Sequence, residues 1–211
     1  MAGVGEGEVR TVVNVVSFSG GKDSTAMLHL LVEAGVHIDC VVRFACEWDW
    51  PQLDEHCRTV ERNTGLHIEV VRNYRRFNDL LRRYGWPKSA GGWCTASKRD
   101  NVLKYMRAVK ATIEYIGFSA DEAHRAERKG MAKRKWPVVF PLIEAGMTGA
   151  DALAYCKARG YTWDGLYDVF SRVSCAWCPK GGKRQLRLLR EHYPALYAEW
   201  ERLDKVTPCT P

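Results

Sequence analysis

Six consecutive residues, Ser19-Gly20-Gly21-Lys22-Asp23-Ser24, bring together two glycines, two hydroxyls, one ammonium and one carboxylate. Glycines let the backbone approach an anion closely. A helix that starts there points free N–H groups and a positive dipole end at it. Ser19 and Ser24 add hydroxyl donors, and Lys22 adds a point charge. Asp23 is a candidate Mg2+ ligand or a partner for the helix N-terminus. The spacing is shorter than the Walker loop, which excludes an ordinary P-loop kinase or GTPase. A Gly-rich turn that only caps a helix would use the same residue types.

The second chemical feature is cysteine. The chain has 8 of them in 211 residues. Residues 1–10 lack an apolar core of the kind an export signal needs, so a disulfide framework is not expected. Metal, cluster or redox chemistry becomes the leading reason for several thiols. Cys175-Ala176-Trp177-Cys178 is a Cys-x-x-Cys, which suits half of a zinc site, a redox pair or two ligands of an iron–sulfur cluster. Cys94 follows a Gly-rich loop. Cys40, Cys46 and Cys57 fall in or beside an apolar segment and read as small buried hydrophobes. The six histidines show no ligand spacing, and only His124, beside Arg125, is expected near a site. Trp163, Tyr167, Phe170 and Trp177 read as core.

These groups need a scaffold. Residues 11–17 form a β-branched apolar run that reads as a buried strand, followed by helical spacing over 23–34. Further strands are expected at 38–45, 67–71 and 112–117. Further helices are expected from Pro51 to about residue 64, then over 75–84 and 95–109, with 86–93 as a loop. This alternation predicts an α/β fold, a mostly parallel sheet flanked by helices. Ligands in such sheets bind beyond the carboxyl ends of the strands, where the 19–24 loop, 46–51 and 117–125 all lie. Past residue 130 the pattern changes. A helix is expected over 149–158 and a final one over 183–203, broken near Pro194. We read 1–130 as the nucleotide-binding core. Residues 131–211 read as a helical, Cys-containing segment packed on it within one domain.

The composition, 46% hydrophobic and 27% charged, is that of an ordinary folded protein. No apolar run approaches a membrane span, so a cytoplasmic protein with no membrane partner is expected. The formal charge of +7 suits polyanionic partners. Basic stretches at 72–83, 125–135 and 180–190 contribute to it.

Ser17-Phe18-Ser19-Gly20-Gly21-Lys22-Asp23-Ser24 resembles the signature of the PP-loop superfamily, which includes ATP pyrophosphatases, tRNA-thiolating enzymes and PAPS/APS reductases. The resemblance spans most of the chain and is closest to the PAPS reductase-like branch. Asp49-Trp50-Pro51 sits where that branch has an acidic-aromatic-proline turn. The segment Gly117 to Arg125 is similar to its phosphate- or sulfate-contacting segment. The resemblance implies an adenine nucleotide, ATP or an adenylyl sulfate, with Mg2+. Ser17, Ser19, Gly20, Gly21, Lys22, Asp23, Ser24, Gly117, Asp121 and Glu122 would bind it. Lys22, Asp23 and Arg125 would act in the chemistry. Trp93-Cys94-Thr95-Ala96-Ser97-Lys98 is similar to the Cys-Cys segment of APS reductases, with Trp93 in place of one ligand. The resemblance therefore implies a 4Fe-4S cluster on Cys94, Cys175 and Cys178, with Cys156 as the leading fourth ligand, Cys209 a weaker one, and zinc as the alternative metal. It implies an adenylating, sulfur-handling enzyme, with tRNA or DNA as candidate acceptor. A PAPS or APS reductase is the second reading, although the Glu-Cys-Gly-x-His tail of those enzymes is missing. A non-catalytic nucleotide or nucleic-acid binder is the third, and an oligomer is open to all of them.

Overall fold

The computed structural model describes residues 12–72, 76–87, 92–173 and 175–207. Its centre is a sheet of five strands: β1 (Asn14–Phe18), β2 (Cys40–Ala45), β3 (Ile68–Arg72), β4 (Ile113–Ile116) and β5 (Val138–Val139). The order is β3-β2-β1-β4-β5 and every neighbouring pair is parallel. Parallel neighbours need crossovers, and helices supply them. The helices of the first half are α1 (Lys22–Glu33), α2 (Gln52–Thr64), α3 (Phe77–Tyr84) and α4 (Trp93–Ala108).

Side chains alternate across the sheet, and the central strands β1 and β2 are buried on both faces. Val16 and Val41 join a cluster with Met27 and Leu28 of α1 and Leu53 and Val60 of α2. Val15 and Val42, their neighbours in sequence, join Met106 of α4 and Trp136 on the other face. Burial on both sides is why the strands read as continuous apolar runs. Helix α2 stops at Gly65, whose φ of +70° gives the left-handed C-cap.

The chain winds from β1 outward to β3, then returns past β1 to β4. The adjacent carboxyl ends of β1 and β4 are therefore a topological switch point, the usual place for a ligand in an open parallel sheet. Beyond β4 come a 3-10 turn (Ala120–Arg125), α5 (Lys129–Ala132), α6 (Pro141–Glu144), α7 (Gly149–Ala158), α8 (Leu166–Val169), α9 (Gly182–His192) and α10 (Pro194–Lys205). The break before Pro194 matches the sequence reading. The fifth strand does not: β5, from beyond residue 130, adds an edge beside β4. Residues past 130 thus complete the sheet as well as covering it, with α6 and α7 packed on α1. Among the described residues no helix is long and apolar enough to cross a membrane.

Candidate functional site

The Ser19–Ser24 loop follows β1 directly. Gly20 takes a φ of +79°, a conformation that any side chain would strain. The Ser24 hydroxyl donates to Gly21 O (3.0 Å), accepts from Ser19 N (3.2 Å) and lies 3.0 Å from Ser19 Oγ. Gly21 is the N-cap of α1 and has no side chain to cap the first N–H groups of the helix. The Lys22 amide is held by the Tyr167 hydroxyl at 2.9 Å, and Trp163 Nε1 donates to Gly20 O at 2.8 Å. The C-terminal segment therefore braces the loop from behind. Ser17 stands apart from this set. It faces the interior of the sheet and donates to the buried Glu114 carboxylate at 2.8 Å, which leaves its hydroxyl engaged away from the loop.

Carboxylates gather on one side of the loop. Lys22 Nζ donates to Asp23 Oδ1 at 2.6 Å. Burial pushes the Asp23 carboxyl above its usual range, against the pull of Lys22, with Glu122 and Asp121 adding to the rise. Asp121 accepts from the Gly149 amide at 2.9 Å. Ser119 first, then that amide, hold its carboxyl below the usual range. Arg125 pairs with Glu122 and lies over the Phe118 ring, 4.1 Å from its centre. Gly117 passes so close to α1 that a Cβ there would lie 3.0 Å from Asp23 O. Lys22, Asp23, Gly117, Asp121, Glu122 and Arg125 are thus brought to one place, while His124 is exposed beside it.

A second group lies past the end of β2. Cys46 Sγ is 3.9 Å from Cys175 Sγ, and Asp49 Oδ1 is 3.4 Å from the first and 3.7 Å from the second. An antiparallel bridge between Asp49 and Cys175, with Ala176 N donating to Trp48 O at 2.8 Å, pins the two segments together. Lys98 Nζ reaches Cys175 Sγ at 3.2 Å and Asp49 Oδ1 at 3.6 Å, and Arg43 Nη2 donates to Asp49 Oδ2 at 3.0 Å. The Cys46 thiol donating to Cys175, together with the Lys98 ammonium, pulls the Cys175 thiol below its ordinary range. That contact and burial push Cys46 up. Cys94 is raised mainly by burial, with Cys175 and Cys178 among the charges that act on it. Among the described residues, the group whose ligand atoms all lie within 4.8 Å of one another is Cys46, Asp49 and Cys175; Cys94 and Cys178 are not in it.

A family model, the phosphoadenosine phosphosulfate reductase domain, matches residues 13–181. The chain belongs to that family. The family match runs from the start of β1 through the Cys-x-x-Cys and ends before α9. No curated protein matches the sequence. Among solved structures the chain is similar to the U34-tRNA thiolase NcsA from Methanococcus maripaludis, solved with its [4Fe-4S] cluster. Identity is 15%, 92% of this chain and 72% of that one are covered, and the TM-score is 0.53. It is also similar to phosphoadenylyl-sulfate (PAPS) reductase from Candida auris in a phosphate complex. There identity is 11%, coverage 76% and 79%, and the TM-score 0.50. At such identities the likeness is one of fold, the PP-loop α/β fold of the PAPS reductase-like branch.

Within this family member, one cysteine lies elsewhere than the sequence reading put it, and another has neighbours that the reading did not give it. Cys156 was expected to join the thiolate group. Instead it is fully buried between α7 and α1, with its thiol donating to Lys22 O at 3.4 Å. Burial first, then the Asp23 charge, push it up to about 12. The thiol that approaches Cys175 is Cys46, read from sequence as a buried hydrophobe. It is buried, but the face it presents is the one Cys175 and Asp49 share. Asp49 and Lys98 belong to the same group, and the Asp49-Trp50-Pro51 and Cys94–Lys98 segments were the signals that could have linked them. Cys209 lies outside the described residues.

Proposed function

We propose that the chain is a PP-loop enzyme that cleaves ATP between its α- and β-phosphates, adenylates an acceptor oxygen, and carries out sulfur chemistry at a thiolate-bound metal centre. One observation carries this reading. A glycine-built helix N-terminus at the β1/β4 switch point, with no cap from its own N-cap residue, shares its sheet edge with the Cys46–Cys175 group at the end of β2. The family match and the fold likeness to a thiolase support it.

The loop amides, the Ser19 and Ser24 hydroxyls and the Lys22 ammonium would take up the negative charge that builds on pyrophosphate as it leaves. Arg125 would fix the α-phosphate side. The oxygen donors Asp23, Asp121 and Glu122 suit Mg2+, which would add charge neutralisation there. Acceptor attack at the α-phosphorus forms the acceptor–AMP bond and breaks the bond to pyrophosphate. Thiolates flanked by the cations Lys98 and Arg43 suit an anionic iron–sulfur cluster on Cys94, Cys175 and Cys178. Cys46 rather than Cys156 would be its fourth ligand, and the cluster would supply a site for holding sulfur. A single tetrahedral ion is a second reading of the same group. With Zn–S bonds of about 2.3 Å, two thiolates on one zinc stand about 3.8 Å apart, close to the 3.9 Å between Cys46 and Cys175.

Two experiments test the proposal. Pyrophosphate release from ATP in the presence of RNA or DNA acceptors is expected, and Lys22→Ala should slow it at least about tenfold, roughly 1.4 kcal/mol of transition-state stabilisation. Sulfite release from PAPS or APS that vanishes in Cys209→Ser, with no pyrophosphate under any condition, would make the reductase the answer. For the metal, anaerobic protein should hold iron and acid-labile sulfide. Cys46→Ser should lose both, while Cys156→Ser keeps them. The reverse pattern rejects Cys46 as a ligand, and stoichiometric zinc without iron selects the single-ion reading.

A further inference from the structure

Nearly all the net charge of the chain sits in one place. Residues 172–190 contain Arg172, Lys180, Lys183, Arg184, Arg187 and Arg190 and no acid, against a total of +7. All six are exposed. Among the described residues none of the six has a carboxylate partner, whereas Arg58, Arg62, Arg82, Arg99 and Arg202 elsewhere on the surface each have one. Like charges this close repel one another, and only an external anion relieves them.

The patch is held rigidly to the thiolate group. Gln185, buried on the inner side of α9, donates to Cys175 O at 3.3 Å and Ala176 O at 3.0 Å, and Leu189 is fully buried. Helical spacing then sends Lys183, Arg184, Arg187 and Arg190 out on one face, along about 10 Å of the axis. Beside them Arg172, Lys180 and Arg184 rim a cavity of about 110 Å³ with Phe170 and Leu188 in its wall.

We infer that this α9 face docks RNA through its phosphates and presents an unpaired nucleotide to the site. The inference rests on the proposed function and names its acceptor. Folded RNA fits better than duplex DNA for a geometric reason. Cys175 is only 8% exposed, so a base must leave its stack to come near it, and RNA loops offer unpaired bases without that cost.

The test measures binding of a hairpin RNA with an unpaired loop, and of a DNA duplex of equal length, to the full chain across a salt series. The wild type should bind the RNA more tightly. K183Q/R184Q/R187Q/R190Q should weaken RNA binding about 100-fold at fixed salt. The slope of log K against log salt should shrink by about 3, the counterions released at four phosphates of a single strand. Glutamine keeps helix propensity, and a melting curve checks the fold. Should that variant not fold, R172Q/K180Q, on the loops, should give about half the loss of slope. Unchanged RNA affinity in a folded variant, duplex DNA bound as tightly as RNA, or no RNA binding at all overturns the inference. Pyrophosphate release without an acceptor is read in parallel and should be the same in wild type and variant. RNA binding of the expected kind in a protein that never releases pyrophosphate leaves this inference standing and removes the proposed activity instead.

Discussion

Gly21→Val is expected to raise the dissociation constant for ATP about 100-fold or more, roughly 2.7 kcal/mol. A Cβ at Gly21 would already lie 3.3 Å from the Tyr167 hydroxyl, 3.4 Å from Val173 O and 3.6 Å from Ser19 Oγ. Valine adds two further carbons to a loop whose inner side is closed by these atoms, so they must go where a phosphate oxygen would approach. The φ of Gly21 is −83°, open to any residue. The loss is therefore one of space at the mouth, and the fold should survive. Calorimetry paired with a melting curve separates the two. A folded variant with wild-type ATP affinity would mean that the nucleotide does not use this loop.

The largest effect on the metal should come from Cys175→Ser. Cys175 is the thiol that Cys46, Asp49 and Lys98 all address, within 3.2 to 3.9 Å. Serine keeps nearly the same shape but is a poor ligand for a soft metal. Metal content per chain, measured by elemental analysis on anaerobic protein, should fall to about a tenth or less of wild type. Full occupancy in this variant would show that the centre, whatever its metal, is built on other residues.

Much of this was readable before any coordinates. The β-branched runs announced four strands, and the glycines at 20 and 21 marked where the chain must turn. The β1 loop and the Gly117–Arg125 segment could be placed together because alternating strands and helices leave few topologies. β5 carried no such signal. Two residues have no period, and Val138 and Val139 become a strand only because β4 offers them an edge. Cys46 was hidden for a related reason. Its local sequence describes a strand end, and its partner lies 129 residues away. Cys156 misled because it is near the Cys-x-x-Cys in sequence. The capping box of Thr148 and Asp151 fixes where α7 begins. From that start Gly149, Ala152 and Cys156 fall on the buried face, toward α1. Helix phase outweighed sequence proximity.

Tyr167 sets a condition on whatever enters the loop. Its hydroxyl already accepts from the Lys22 amide, so an oxyanion that takes that amide is exchanged for a phenol rather than added to a vacant donor. The measured affinity is then a difference between two acceptors competing for one N–H. It includes the cost of moving a ring packed edge-on against Trp163, 4.8 Å between centres. Because Trp163 also grips Gly20 O, displacement of the phenol is transmitted to the loop backbone itself. Should an anion take that amide, its occupancy and the position of α8 would be two readings of a single equilibrium.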